Sequence, residues 1–314
     1  MKSVLRQIKS PYGIIKSLMW LYDYLRNGNT DNSLNLKELP HEVVLENKPY
    51  DKCLLFIGDL MGTSGKKLSI CEDLNEWAAE CDYVFGNLEG PIWDSHDLVF
   101  IKQHNSEERI KELSGLVPLN KWIFSLANNH SYDYADQGLA KTKNVIENLG
   151  AQWFGTKKKK KISIGDIEVW AATTFSNSPT DKICFLEDLK KEIISPNKYP
   201  ILYLHWGVEF SHFPLAEQKQ TRLDELKNFK FVIGHHPHTA QPIELNEGLG
   251  TAYSLGNFYV YFNKEILKKG KLLKLYFSGS ELCKISWAQS EVKRITKDEI
   301  EIGLVENKPK NSDM

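Results

Sequence analysis

Five short, β-prone apolar runs mark the middle of the chain, at residues 53–57, 82–85, 122–126, 201–204 and 229–233. Continuous apolar runs of this length, without strict polar alternation, read as buried strands of an α/β sheet. Between them the pattern turns helical, around residues 69–80, 106–114, 134–149 and 215–227. Another strand-like run, 167–171, follows five consecutive lysines at 157–161, which read as a solvated loop. After Phe262 a lysine-rich segment leads to strand-like runs at 272–277 and 283–287, expected to complete a second sheet. No internal repeat is visible.

Each of the five runs ends the same way, in a small residue or a histidine followed by groups that bind metal or move protons. The endings are Gly58-Asp59, Gly86-Asn87-Leu88-Glu89, Ala127-Asn128-Asn129-His130, His205-Trp206-Gly207 and Gly234-His235-His236-Pro237-His238. Ligands of open α/β sheets collect beyond the carboxyl ends of the strands, so all five clusters are expected on one rim. Asp59, Glu89, Asn129, His130, His205, His236 and His238 mix carboxylate, amide and imidazole. Calcium takes oxygen ligands and structural zinc favours thiolate, whereas this mixture suits one or two divalent ions of the Mn, Fe or Zn kind. Phosphoester hydrolysis is the usual chemistry of such a centre. Plainer readings stand beside this one. Asp59 and Asn129 are also good helix caps, His205 beside Trp206 is also a core histidine, and Glu209 is a rim carboxylate or a group orienting a histidine. Ser254, Gly256 and Asn257 read as a supporting turn, with substrate contact the alternative for Asn257.

The motifs FIGDLMG around Asp59, GNLEGPI around Glu89, LANNHSYDYADQGL, HWGVEF, VIGHHPHTAQPIE and YSLGNF occur in order between residues 50 and 262. In that order and spacing the chain resembles the bacterial capsule-synthesis CapA family, the poly-γ-glutamate capsule proteins. That family is similar in turn to calcineurin-like metallophosphoesterases. The resemblance implies an α/β four-layer sandwich, two central sheets flanked by helices, and a role in making a capsule or other surface polymer. It implies Asp59 and His238 on a first metal, Glu89 as a bridging carboxylate, and Asn129, His205 and His236 on a second. His130 is implied as the acid that protonates the leaving group, with Asp133 beside it as the other catalytic candidate. His235 has no counterpart in the two-histidine motif and is left outside the ligand set.

Departures from the wider pattern are also legible. Those phosphoesterases carry a histidine two residues after the first aspartate, where this chain has Met61. His96, His104 and Asp133 are candidates for the missing ligand. Glu89 stands for the usual aspartate, and within the CapA pattern itself Ala135 stands where glycine is expected. Two functions follow: a hydrolase whose metal-activated water attacks a phosphoester or related bond, or a non-catalytic subunit that holds an anionic polymer and docks on a membrane synthase or export complex.

Composition sets the remaining bounds. The 314 residues are 41% hydrophobic and 26% charged, ordinary for globular protein. A formal net charge of −1 argues against a general nucleic-acid binder, which carries a basic footprint. Five cysteines without CxxC spacing read as free thiols of a reducing compartment, Cys53 and Cys81 as core residues. No run reaches the roughly 20 apolar residues of a membrane span, and the chain reads as cytoplasmic. Residues 11–26 read as an amphipathic helix, and five basic residues against Asp23 give residues 1–26 a net +4. That helix docks on the protein itself, on a partner chain, or on the inner face of a membrane. The expected organisation is an arm and linker over 1–48, with the Asn-, Gly- and Ser-rich stretch 27–35 as the linker, the main domain over 49–304 and a disordered tail over 305–314.

Overall fold

The five apolar runs are strands, and they divide between two sheets. The computed structural model describes residues 30–63, 65–93, 102–260 and 264–305, together with Leu21, Tyr22 and Leu25. The helix expected over residues 11–26 and the tail expected over 305–314 therefore fall largely outside the described residues. In chain order the strands are β1 (Glu42–Val44), β2 (Lys52–Leu60), β3 (Lys67–Ile70), β4 (Tyr83–Leu88), β5 (Trp122–Ser125), β6 (Gln152–Phe154), β7 (Lys161–Ile164), β8 (Ile167–Thr173), β9 (Tyr199–His205), β10 (Phe231–His235), β11 (Ile243–Asn246), β12 (Leu249–Ala252), β13 (Asn257–Tyr259), β14 (Lys269–Ser278), β15 (Glu281–Arg294) and β16 (Glu299–Leu304).

The first sheet runs β3-β16-β15-β14-β2-β4-β5-β6, with β1 paired to β15 and β13 to β2. The second runs β11-β12-β10-β9-β8-β7. Within the first sheet β2, β4, β5 and β6 are parallel, and within the second β8, β9 and β10 are parallel. The chain is thus α/β with two sheets. The runs at 272–277 and 283–287 form β14 and β15 of the first sheet, β14 antiparallel beside β2 and β15 antiparallel beside β14.

The strands of the second sheet show why no alternation was visible in their sequence. Val169, Ala171, Ile201, Tyr203, Phe231 and Ile233 face the core shared with the first sheet. Their neighbours Trp170, Ala172, Leu202, Leu204 and Val232 belong to a separate cluster with Leu189, Leu226 and Phe229. Both faces are dry, and each fully buried aliphatic side chain contributes about 1.5–3 kcal/mol. Helix Leu186–Leu189 brings Leu189 to this outer cluster, and Leu226 follows helix Ala216–Asp224. On the first sheet, helices Glu72–Ala78, Glu107–Glu112 and Ala135–Asn148 bring Leu74, Ala78, Ile110, Leu139 and Ile146 to the main core. Where sequence periodicity predicts one helix over 69–80, Ser69 and Ile70 instead pair with Glu301 and Ile302, so the helix starts only after Cys71.

Residues 36–45 strap the two sheets together. Leu36 is buried in the outer cluster of the second sheet. Leu39 donates its N–H to Ile243 of β11, and Glu38 pairs with Lys271 of β14. His41 stacks on Trp287, whose indole donates to the carbonyls of Leu39 and Pro40. β1 then joins β15, so the two-sheet body includes chain upstream of Pro49. The lysine run is not simply solvated: Lys157 reaches Asp188, Lys160 pairs with Glu192, and Lys161 lies 2.6 Å from Glu168. All five cysteines are free thiols, Cys53 and Cys81 fully buried. Among the described residues no helix is long and apolar enough to cross a membrane.

Candidate metal centre

The carboxyl ends of strands from both sheets meet at one place, and two glycines allow it. A Cβ on Gly58 would collide with the carbonyl oxygen of Gly256, and one on Gly234 with that of Tyr253. Only glycine lets the backbones come so close, which carries Asp59 and the histidine loop after β10 into register. Asp59, Glu89, Asn129, His205, His235 and His236 are all within 2% of full burial, and His238 is at 5%.

Asp59, near the end of β2, accepts from the Asn87 amide at 2.7 Å through one oxygen and from the His236 backbone N–H at 3.0 Å through the other. His238 Nδ1 lies 3.2 Å from that second oxygen. Burial works to raise the Asp59 pKa, but the bond and charge of His238, the charge of His235 and the Asn87 bond outweigh it and lower it. Asp59 caps no helix, since it belongs to a strand. Asn129 caps none either, because the next helix starts at Ala135 with Tyr134 at its N-cap.

Glu89 directly follows β4, and neither of its buried oxygens has a hydrogen-bond partner. Burial pushes its pKa up to about 8, the charge of His238 opposing and that of Asp59 adding. His238 Nε2 is 3.7 Å from Glu89 Oε1. Burial works against the charged imidazole, yet Glu89 and Asp59 hold the His238 pKa up, at about 10. His236 and His238 both sit at positive φ, 105° and 59°, so the loop carrying them is bent into a conformation that L-residues rarely adopt. Asn257 steadies it, its Oδ1 3.1 Å from His238 Nδ1 and its amide donating to the His238 carbonyl. The YSLGNF turn is therefore a support, as expected of it.

His205 ends β9 and His235 ends β10, directly opposite in the parallel register. His205 Nε2 lies 2.7 Å from Asn129 Oδ1, and its Nδ1 lies 2.7 Å from His235 Nδ1. Burial drives the pKa values of His205 and His236 well below the usual range, with neighbouring imidazoles adding to the effect. Burial takes His235 down to about 4. These rings are neutral at pH 7 and carry lone pairs that can bind a cation.

Ligand atoms within 4.8 Å of one another form four sets: Asp59, Glu89 and His238; Glu89, His205 and His236; Glu209, His236 and His238; and Asp59, His205 and His235. Buried atoms in or beside these sets remain without partners: both oxygens of Glu89, His236 Nδ1, His235 Nε2 and Asn129 Nδ2. The acceptors among these, the two Glu89 oxygens above all, lie beside neutral imidazoles and fit a divalent cation, whereas the Asn129 amide nitrogen is a donor and would not bind one. Glu89 belongs to two of the sets. Glu209, read as a rim carboxylate or a group orienting a histidine, brings a ligand atom beside those of the two loop histidines.

His130 and Asp133 form a separate pair, with His130 Nδ1 2.6 Å from Asp133 Oδ2. The same carboxylate oxygen accepts from the Gln103 backbone at 2.9 Å. Burial opposes protonation of His130, but the charge and bond of Asp133, with Glu89 and Glu209 behind it, raise its pKa. Asp133 belongs to none of the four sets. Nor does His104, which contacts Tyr134, and His96 falls outside the described residues. Met61, at the position of the missing histidine, packs with Phe210, Val260 and Leu267.

Three residues of the site were not singled out from sequence. Asn87 bonds Asp59 and, at 3.0 Å, is bonded by Asn128. The Asn128 Oδ1 receives the His130 N–H and the Ser131 hydroxyl, which fixes the turn that aims His130. Asn177, beyond β8, donates its backbone N–H to the Asn129 carbonyl and brings its amide nitrogen within 3.3 Å of His130 Nε2. Asn87 and Asn128 stood inside quoted motifs, and a buried amide in an apolar run was their signal. Asn177 had none beyond following a strand.

The bacterial capsule synthesis protein PGA_cap family matches this chain at residues 53–169 and 172–261. The PGA biosynthesis protein CapA of Bacillus subtilis (strain 168) is 27% identical over 235 residues, 65% of this chain and 62% of that protein. The capsule biosynthesis protein CapA of Bacillus anthracis is 25% identical over 213 residues, 56% of this chain and 50% of that one. The chain therefore spans only half to somewhat under two-thirds of the length of these relatives. A hypothetical protein from Thermus thermophilus overlays with a TM-score of 0.45 at 14% identity, covering 76% of this chain and 98% of that one. Since the family match takes in more than half of the chain and every side chain of the cluster described above, this protein belongs to the bacterial capsule synthesis protein PGA_cap family.

Proposed function

We propose that the chain is a metal-dependent hydrolase of the CapA type, built on a metallophosphoesterase-like four-layer frame and acting in biosynthesis of a capsule or other surface polymer. Its bond is a phosphoester or a related ester or amide. The observation that carries this reading is Glu89, a buried carboxylate with both oxygens unpaired and shared by two sets of ligand atoms. Asp59, Glu89 and His238 would hold one divalent ion, and Glu89, His205 and His236 with the Asn129 side-chain oxygen a second. Such ions, of the Mn, Fe or Zn kind, polarise a phosphoryl or carbonyl oxygen and lower the pKa of water.

The chain's own residues do the proton work. Asp133 binds Nδ1 of His130, which leaves Nε2 to give a proton to the departing oxygen. Asp133 also keeps the imidazole charged enough to do so. Asn128 and Asn177 fix the turn and the ring face. An anionic polymer or a phosphoester is the proposed substrate, and residues 1–26 the proposed docking segment for a membrane surface or a synthase complex.

Elemental mass spectrometry of wild type beside the double variant His236→Ala, His238→Ala tests the centre. Two equivalents of transition metal lost in the variant are expected. Retention of none by the wild type, even after reconstitution with Mn, Fe or Zn, would sink the reading. His130→Ala is expected to keep its metal and lose about 10²-fold or more in phosphoester turnover. A second reading, the non-catalytic subunit that holds an anionic polymer, is favoured by one observation: Met61 lies in an apolar cluster where a further ligand was expected. One equivalent of metal with no turnover on any ester would support it.

A further inference from the structure

His235 was left outside the ligand set, and the mechanism above does not use it. It is fully buried, its ring 4.5 Å from that of Tyr203 on the core side, and its Nε2 has no partner. Its closest polar contact is His205 Nδ1, at 2.7 Å from its own Nδ1, with Asp59 Oδ1 farther off at 3.6 Å. Two neutral imidazole nitrogens at the shorter distance share one proton, since two lone pairs or two N–H groups would repel. His205 Nε2 lies at the same distance from Asn129 Oδ1, which only accepts. His205 carries its proton on Nε2 and gives it to Asn129, so its Nδ1 is the acceptor, and His235 donates from Nδ1. The Asn87 amide, 3.4 Å from His205 Nδ1, agrees, because it too can only donate there.

In this arrangement the His205 lone pair faces away from Asn129. We propose that His235 is the positioning residue for His205 and that cation binding reverses the proton order of the pair. This rests on the metal-centre reading of the site. For His205 Nε2 and Asn129 Oδ1 to face a cation together, Nε2 must lose its proton. The proton between the two Nδ1 atoms crosses to His205, which then donates to His235. The proton displaced from His205 Nε2 leaves to water, and water supplies the one taken up at His235 Nε2. Two protons are present on the pair before and after, so no net charge is buried. A metal-bound histidine commonly gives its second N–H to an oxygen acceptor; here another histidine takes that part, and it can change tautomer where a carbonyl cannot.

The test is long-range 1H–15N correlation of the imidazole nitrogens in 15N-histidine-labelled protein, metal-free and then loaded with zinc, which is diamagnetic. The metal-free protein is expected to show protonated Nε2 on His205 and protonated Nδ1 on His235. With zinc, protonated Nδ1 on His205 and protonated Nε2 on His235 are expected. Zinc affinity should fall 10–100-fold in His235→Leu and be largely restored in His235→Gln, whose carbonyl can accept from His205. Zinc bound with the His235 tautomer unchanged, or through His205 Nδ1, overturns the inference and leaves the metal centre standing. No zinc uptake at all by the wild type overturns both.

Discussion

A carboxylate inside a protein with neither oxygen hydrogen-bonded is costly, and Glu89 is in that state with an aspartate close by. Its neutral isostere separates the two things the residue does. Glu89→Gln is expected to raise the melting temperature of the metal-free protein at pH 8 and to cut its metal content below that of wild type. A variant that melts lower and keeps full metal would show that Glu89 is a structural residue. Ala135 makes a smaller point at the same scale. It stands where the resemblance leads us to expect glycine, and its backbone is left-handed, at φ 52°. The alanine methyl costs about 1–2 kcal/mol there. Ala135→Gly should therefore stabilise the protein by up to about 1 kcal/mol in denaturant melts, the flexibility of glycine offsetting the rest.

At the scale of elements, the site exists because strand ends from two sheets are held at backbone contact. Gly58→Ala or Gly234→Ala would push β2 or β10 from its neighbour, destabilising by roughly 1–3 kcal/mol. Either should also lower metal retention, although neither residue bears a ligand. Equal metal content in a destabilised Gly234→Ala protein would argue that the loop is positioned some other way. These two glycines were legible as run endings, and so were Asp59, Glu89, Asn129, His130, His205, His236 and His238, because strand-then-polar spacing is local. Which sheet each strand joins was not legible. Runs dry on both faces look alike in either sheet, and the pairing of β14 with β2 spans some two hundred residues. His235 was set aside because the motif has two histidines and not three, and its contact with His205 shows only once β9 and β10 are paired. Ser69 and Ile70 were read as helix because their strand partner, β16, lies more than two hundred residues on.

For the whole molecule, the buried cluster sets how stability responds to pH without metal. Between about pH 4 and 6.5 the unfolded chain protonates His205, His235 and His236 while the folded one keeps them neutral, so stability rises with pH. Glu89, raised from 4.5 to about 8, opposes that rise from about pH 4.5 but is outweighed by the three histidines. Above 6.5 their contribution ends. His238, raised to about 10, then joins Glu89 in staying protonated in the folded chain after the unfolded chain has lost those protons, so the net sign reverses. Stability then falls as pH rises. Melts in the presence of chelator should crest near pH 6.5, and metal should flatten the decline above it. Calorimetry in two buffers of different ionisation enthalpy should show protons released on metal uptake. A stability curve still rising to pH 9 without metal would contradict this picture of the cluster.

The strap over residues 36–45 bears on how the chain tolerates being cut. β1 covers Lys284, Ile285 and Ser286 of β15, and the β15–β16 pairing begins only at Ser290. A chain shortened to begin at Pro49 would leave that length of β15 with open backbone donors and acceptors, next to a Trp287 stripped of its stacking partner. Bare strand edges recruit one another. Such a protein should elute from size-exclusion chromatography as higher assemblies, whereas one beginning at Thr30, which keeps the strap, should run as the full chain does.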